Sequence, residues 1–157
     1  MVNINAEILS YKSIGEIYID TNVSDYDFNN DPEFLSSCAQ SDPESTGELY
    51  KYYELNGCIY ISTMANGNIF AIGCNEKYQG KYKSKLYAGI EMGELIKLSN
   101  DIRILNGTLI VDGDYGLSFV LPSPYDEIAD YVEHIPLDIK LNEIYVSDYS
   151  FWNNKNK

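Results

Sequence analysis

The sequence predicts an α+β fold: a single domain over residues 1–157, mainly an antiparallel sheet of six to seven strands in two meanders, with two to four short helices. Three observations predict it. Three Asn-Gly dipeptides, Asn56-Gly57, Asn66-Gly67 and Asn106-Gly107, each lie between β-rich runs, and Asn and Gly tolerate the positive φ angles of a two-residue hairpin turn. Helical patterning is confined to short segments punctuated by Pro and Gly. A chain of 157 residues, 45% of them hydrophobic, has material for one substantial core and too little for two.

In chain order, Asp31-Pro-Glu-Phe-Leu-Ser-Ser-Cys-Ala39 opens with helix grammar, Asp31 as cap and Pro32 at the first position, and is expected to form a short helix. Gln40-Ser-Asp-Pro-Glu-Ser-Thr-Gly47 follows as a polar, turn-rich loop. Leu49-Tyr-Lys-Tyr-Tyr-Glu-Leu55, Cys58-Ile-Tyr-Ile-Ser-Thr63 and Asn68-Ile-Phe-Ala-Ile-Gly-Cys74 alternate or run apolar over strand lengths and form the first meander. Ile90 to Leu98 places Ile90, Glu94, Leu95 and Leu98 at helical spacing, interrupted by Gly93. Ile102-Arg-Ile-Leu105, Thr108-Leu-Ile-Val-Asp112 and Leu117-Ser-Phe-Val-Leu121 form the second meander, with a further turn at Asp112 to Gly116. Ser123-Pro-Tyr-Asp-Glu-Ile-Ala-Asp-Tyr-Val132 has a capping Ser, Pro at the first helical position and acids in the first turn, with Pro136 beyond it. Asn142-Glu-Ile-Tyr-Val-Ser147 adds one further strand. Gly15-Glu-Ile-Tyr-Ile-Asp20 and Gly89-Ile-Glu-Met-Gly-Glu-Leu95 each precede a three-stranded hairpin system, so the halves are either a duplication or two unrelated Gly-started segments.

Charge is the most informative functional signal. Thirty-eight residues between Lys12 and Lys51 contain nine carboxylates and no Lys or Arg, and the stretch from Ile104 to Ile139 contains seven and again no base. The net charge of −13, from 24 acids against 11 bases, argues against nucleic acid as a partner. It is either a solubility device or the footprint of a cationic partner. Cys38, Cys58 and Cys74 are odd in number and match neither a metal pair nor a secreted disulfide framework, so reduced core thiols are expected. The N-terminus lacks a basic region followed by an apolar run, and no segment reaches the roughly 18 apolar residues of a membrane span. The expectation is a cytoplasmic protein without a membrane partner.

Chemistry-bearing constellations are sparse. His134 is the single histidine and has no nucleophile or ligand set beside it, so a surface or helix-capping position is the simpler assignment. Asp112-Gly-Asp-Tyr-Gly116 gathers carboxylates as an oxygen-rich cation loop does, but lacks the distal bidentate Glu and reads as a hairpin turn. No cofactor and no enzymatic activity are expected. The fifteen tyrosines supply either recognition surface or cover for a half-buried sheet. Lys77-Tyr-Gln-Gly-Lys-Tyr-Lys-Ser-Lys85 alternates bases with aromatics, and in so acidic a chain it is expected to be a loop or a charged edge strand.

Size, acidity, the hairpin-rich α+β pattern, and the run Gly107-Thr-Leu-Ile-Val-Asp-Gly-Asp-Tyr-Gly-Leu-Ser-Phe-Val-Leu-Pro122 followed by Tyr125-Asp-Glu-Ile-Ala-Asp130 together resemble the bacterial immunity proteins of contact-dependent and other polymorphic toxin systems. The resemblance implies a role, neutralising a cognate basic toxin such as a nuclease domain by covering its active site or a nearby surface. It transfers no residue. From charge alone, the expected partner-binding residues are Asp25, Asp27, Asp31, Glu33, Asp42 and Glu44 in the first basic-free stretch and Asp112, Asp114, Tyr115, Asp126 and Asp130 in the second. The alternatives are a small-molecule-binding or structural subunit, or an enzyme of unrecognised kind. The oligomeric state is open.

Overall fold

The structure, a computed structural model, describes residues 3–28, the backbone of 34–39, and residues 50–152. Its strands and helices are β1 (Ser13–Ile14), β2 (Ile17–Tyr18), β3 (Phe34–Ala39), β4 (Tyr50–Leu55), β5 (Ile59–Thr63), β6 (Ile69–Cys74), β7 (Ile90–Glu91), α1 (Met92–Leu98), β8 (Ile102–Leu105), β9 (Thr108–Val111), β10 (Leu117–Val120), α2 (Tyr125–Ile128), β11 (Lys140–Leu141) and β12 (Ile144–Ser147). Two of the predicted hairpins close as expected: Asn56 and Gly57, and Asn106 and Gly107, all have φ between 51° and 75°, the left-handed conformation that two-residue turns require. Eight strands pair in the order β3-β4-β5-β6-β12-β10-β9-β8, every neighbour antiparallel, with β1-β2 and β7-β11 as small accessory sheets. The class is α+β, as the sequence predicts.

Placed last in the chain, β12 sits in the middle of the sheet. Ile144 pairs with Cys74 of β6 on one side and Phe119 of β10 on the other, so β12 joins the two meanders. Because side chains alternate across a strand, the register sorts the sheet into two faces. Leu55, Ile59, Cys74, Ile144, Phe119 and Leu109 line one of them and are buried. Against them pack Ile8, Ile14 and Ile17 from the N-terminal segment, Tyr78, Tyr82 and Leu86 from the 75–88 loop, and Met92 and Leu95 of α1. Each fully buried Ile or Leu contributes about 1.5–3 kcal/mol of transfer free energy, so this face carries the stability.

Two expectations are corrected. Residues 34–39, expected to be helical, form β3, whose six residues pair from Phe34 opposite Leu55 to Ala39 opposite Tyr50. A helix so short is marginal in water, and a ready strand edge satisfies the backbone without it. This strand takes the main sheet to eight rather than six or seven. The helix expected over Ser123–Val132 shrinks to the single turn α2, with Pro124 at its N-cap and no capping hydrogen bond from a side chain. Ala129 leaves helical conformation (φ −84°, ψ 116°), turning its own side chain inward while Ile128 stays exposed. The segments starting at Gly15 and Gly89 fold differently, one as the β1-β2 hairpin and the other as β7 running into α1. Among the described residues no helix is long and apolar enough to cross a membrane.

Candidate partner-binding surface

The connection from β10 to β11, residues 122–138, is held at intervals and presents what lies between. Ala129 and Ile135 are buried in the main core, and Tyr125 and Val132 pack partly against it. Its first turn rests on the Asn106-Gly107 hairpin: a side chain at position 107 would meet the Asp126 carbonyl at 2.9 Å, so a glycine allows the approach. Between these anchors Ile128 and Tyr131, and just beyond the last of them Leu137, stand 59%, 65% and 63% exposed. Asp126, Glu127, Asp130, Glu133 and Asp138 are exposed beside them, and the segment contains neither Lys nor Arg. Large apolar side chains at such exposure, interspersed with carboxylates of the same segment, have the composition of a docking surface rather than of ordinary solvent-facing chain.

Local geometry stiffens this surface. The Asp130 N–H donates to Nδ1 of His134 at 3.2 Å, and the His134 ring meets Tyr131 edge-on at 5.2 Å. Two grooves flank it. One, about 750 Å³, runs between Leu137 and Asp138 and the α1 residues Gly93, Ile96 and Lys97. The other, about 350 Å³, separates Asp130 to Glu133 from Ile102, Arg103 and Ile104 on β8, the last strand of the sheet.

Other expected site residues lie elsewhere. Asp112 has φ 53° and accepts the backbone N–H groups of Asn100 and Asp101 at 2.7 and 2.9 Å. Asp114 accepts the Tyr82 hydroxyl and the Gly116 N–H. Tyr115 is buried, with its hydroxyl accepting from Arg103. All three side chains have hydrogen-bond partners within the fold, and Asp112 is nonetheless exposed. Burial first, and then Asp114 as a hydrogen-bond acceptor and a negative charge, push the Tyr82 hydroxyl well above its usual range. Asp25 closes a capping box with Asn22 around the 3₁₀ turn Val23–Asp25, and Asp27 is exposed one turn on. Asp31, Glu33, Asp42, Glu44 and the 40–47 loop lie outside the described residues. Among the described expected residues, Asp126 and Asp130 are exposed in the same segment as Ile128, Tyr131 and Leu137.

Sequence reasoning missed Ile128, Tyr131 and Leu137. Their signal was the failure of the apolar positions in 123–137 to keep a helical period once Pro136 is taken as the boundary. It also missed that the bases and aromatics of 77–85 part company: Tyr78 and Tyr82 are core residues of a loop, and Lys77, Lys81, Lys83 and Lys85 are exposed. Cys58 and Cys74 are buried free thiols, both pushed up chiefly by desolvation, which disfavours the nucleophilic thiolate. Among the described residues no group of three or more His, Cys, Asp or Glu is placed to hold a metal ion. No family profile, curated protein or solved structure matches the chain.

Proposed function

We propose that this protein binds and neutralises a basic protein toxin, of the kind whose polyanionic substrate demands a cationic cleft, and that the 122–138 surface is the part that docks. One observation carries the reading: five exposed carboxylates and three exposed large apolar side chains share a base-free segment anchored to the core. The carboxylates steer a cationic partner and set its orientation, while Ile128, Tyr131 and Leu137 supply desolvated contact area. The resemblance to immunity proteins points the same way.

The test starts with purification from the native cell, asking for a stoichiometric basic polypeptide that is toxic when expressed alone. With that partner, the double substitution Asp126→Lys and Asp130→Lys slows association at low salt by about tenfold and flattens its salt dependence. Ile128→Ala and Tyr131→Ala instead speed dissociation. Unchanged kinetics in both sets would remove the segment from the interface. A second reading, a small-ligand module, rests on a cleft of about 730 Å³ lined by Lys81, Lys85, Tyr87, Glu94 and Lys140. That cleft mixes both signs of charge, and Lys85 already donates to the Leu98 carbonyl at 2.8 Å, so the docking surface is preferred.

A further inference from the structure

The sheet face opposite the core holds a second recognition feature. Register places Glu54, Tyr60, Gly73, Tyr145 and Ser118 in one row across β4, β5, β6, β12 and β10. Glu143, two residues before Tyr145, lies on the same face. The two tyrosine rings stack at 6.5 Å and 20° and cover the glycine between them: a Cβ at position 73 would fall 2.3 Å from the Tyr145 ring. Tyr60 is fixed from its far end, accepting Asn75 Nδ2 at 2.9 Å, and burial, followed by the charge of Glu143, raises the Tyr145 hydroxyl. Tyr60, Tyr145, Glu54 and Glu143 are all half-buried. Burial raises the Tyr60 hydroxyl, and Glu143, Glu54 and Glu76 raise it further against the opposing bond from Asn75, so negative potential converges on this shelf.

We infer that the Tyr60–Tyr145 shelf, bracketed by Glu54 and Glu143, binds a guanidinium group presented by an arginine-bearing segment of a basic protein. An aromatic face attracts a cation through its quadrupole, and a guanidinium is planar enough to lie on a ring while its N–H groups reach a neighbouring carboxylate. The rings are already immobilised, so binding orders few side chains. A phosphate-bearing ligand is opposed by the three carboxylates and by the net charge of −13. Polyanions are therefore excluded by the same field that attracts arginine. The inference rests on the proposed function only for a cationic partner, and its test does not require that partner.

N-acetylargininamide is titrated into the ¹⁵N-labelled full chain, with N-acetylcitrullinamide as the uncharged analogue of the same shape. Expected are saturable amide shifts at Tyr60, Gly73 and Tyr145 for the arginine compound, at least fivefold weaker binding for the citrulline compound, and loss of affinity of about threefold in Glu143→Gln and in Tyr60→Leu, both checked for native amide dispersion. Tyr145→Leu gives the same loss if it folds, and the other two variants suffice if it does not. Shifts that fail to saturate, that are equal for the two compounds, that persist in both variants, or that map to 122–138 overturn the shelf. Failure here with intact, salt-dependent association through 122–138 leaves the proposed function standing. Arginine binding without any basic partner in the cell does the reverse.

Discussion

The hairpin turn at 112–116 and the connection at 122–138 lie in the same stretch without Lys or Arg, yet their carboxylates are used differently. In the turn, the exposed Asp112 and the half-buried Asp114 accept from neighbouring backbone and from Tyr82. In the connection, buried residues at 129 and 135 hold the chain down and the carboxylates between them stand in solvent. Equal sequence acidity thus encodes two functions, internal satisfaction and surface field. Which one applies is set by how tightly the backbone turns around the residue.

The contrast breaks first on stability. Asp114→Ala leaves the hydroxyl of the buried Tyr82 without its acceptor and should cost about 1–3 kcal/mol in denaturant unfolding. Asp112→Ala returns two exposed backbone N–H groups to water and costs less, about 0.5–1.5 kcal/mol, whereas Asp126→Ala and Asp130→Ala change stability by less than about 0.5 kcal/mol. Equal losses at all four positions would erase the distinction between the two regions.

A pH titration sharpens it. Tyr82, Tyr78 and Tyr145 are all held above the ordinary phenol range, each chiefly by desolvation, with Asp114 adding to Tyr82 and Glu143 to Tyr145. A raised folded-state pKa stabilises below the unfolded value, near 10, and that contribution is lost as pH climbs through and beyond it. Stability should therefore fall above about pH 10, and phenolate absorbance should show a group of tyrosines that ionise only as the fold opens. In Tyr82→Phe the alkaline fall becomes shallower. An unchanged profile would mean that burial and Asp114 together do not hold the Tyr82 hydroxyl up in the folded protein.

How much of this was legible in the chain follows from the range of the interactions involved. Asn56-Gly57 and Asn106-Gly107 announce their hairpins because the turn conformation is a property of two adjacent residues. The strand at 34–39 was misread because the pull that makes it a strand comes from β4, beginning eleven residues after it ends. The middle position of β12 was invisible for the same reason, since its neighbours β6 and β10 are not adjacent to it in sequence. Charge singles out Asp126 and Asp130 together with Asp112, Asp114 and Tyr115, but the last three bond to groups of the fold, and no local pattern separates them. The Glu54–Tyr60–Gly73–Tyr145 row exists only once four separate strands are in register.

The smallest effect bears on Asp25, which by charge alone belongs with the docking residues. Its carboxylate accepts the Asn22 N–H at 3.1 Å while the Asn22 side chain accepts the Ser24 N–H at 3.0 Å. Asn22 also donates to Asn66 and Asn68, tying the turn to the β5–β6 hairpin. Asp25→Ala should cost about 0.5–1 kcal/mol, as loss of half a capping box does. Asp25→Asn removes the charge while keeping a side-chain oxygen within reach of the cap. If the asparagine variant keeps the stability but slows association with a basic partner, Asp25 contributes to the field as well as to the turn. If association is unchanged in both variants and the alanine variant loses only stability, Asp25 acts in the turn alone, and the surface field is concentrated in 122–138.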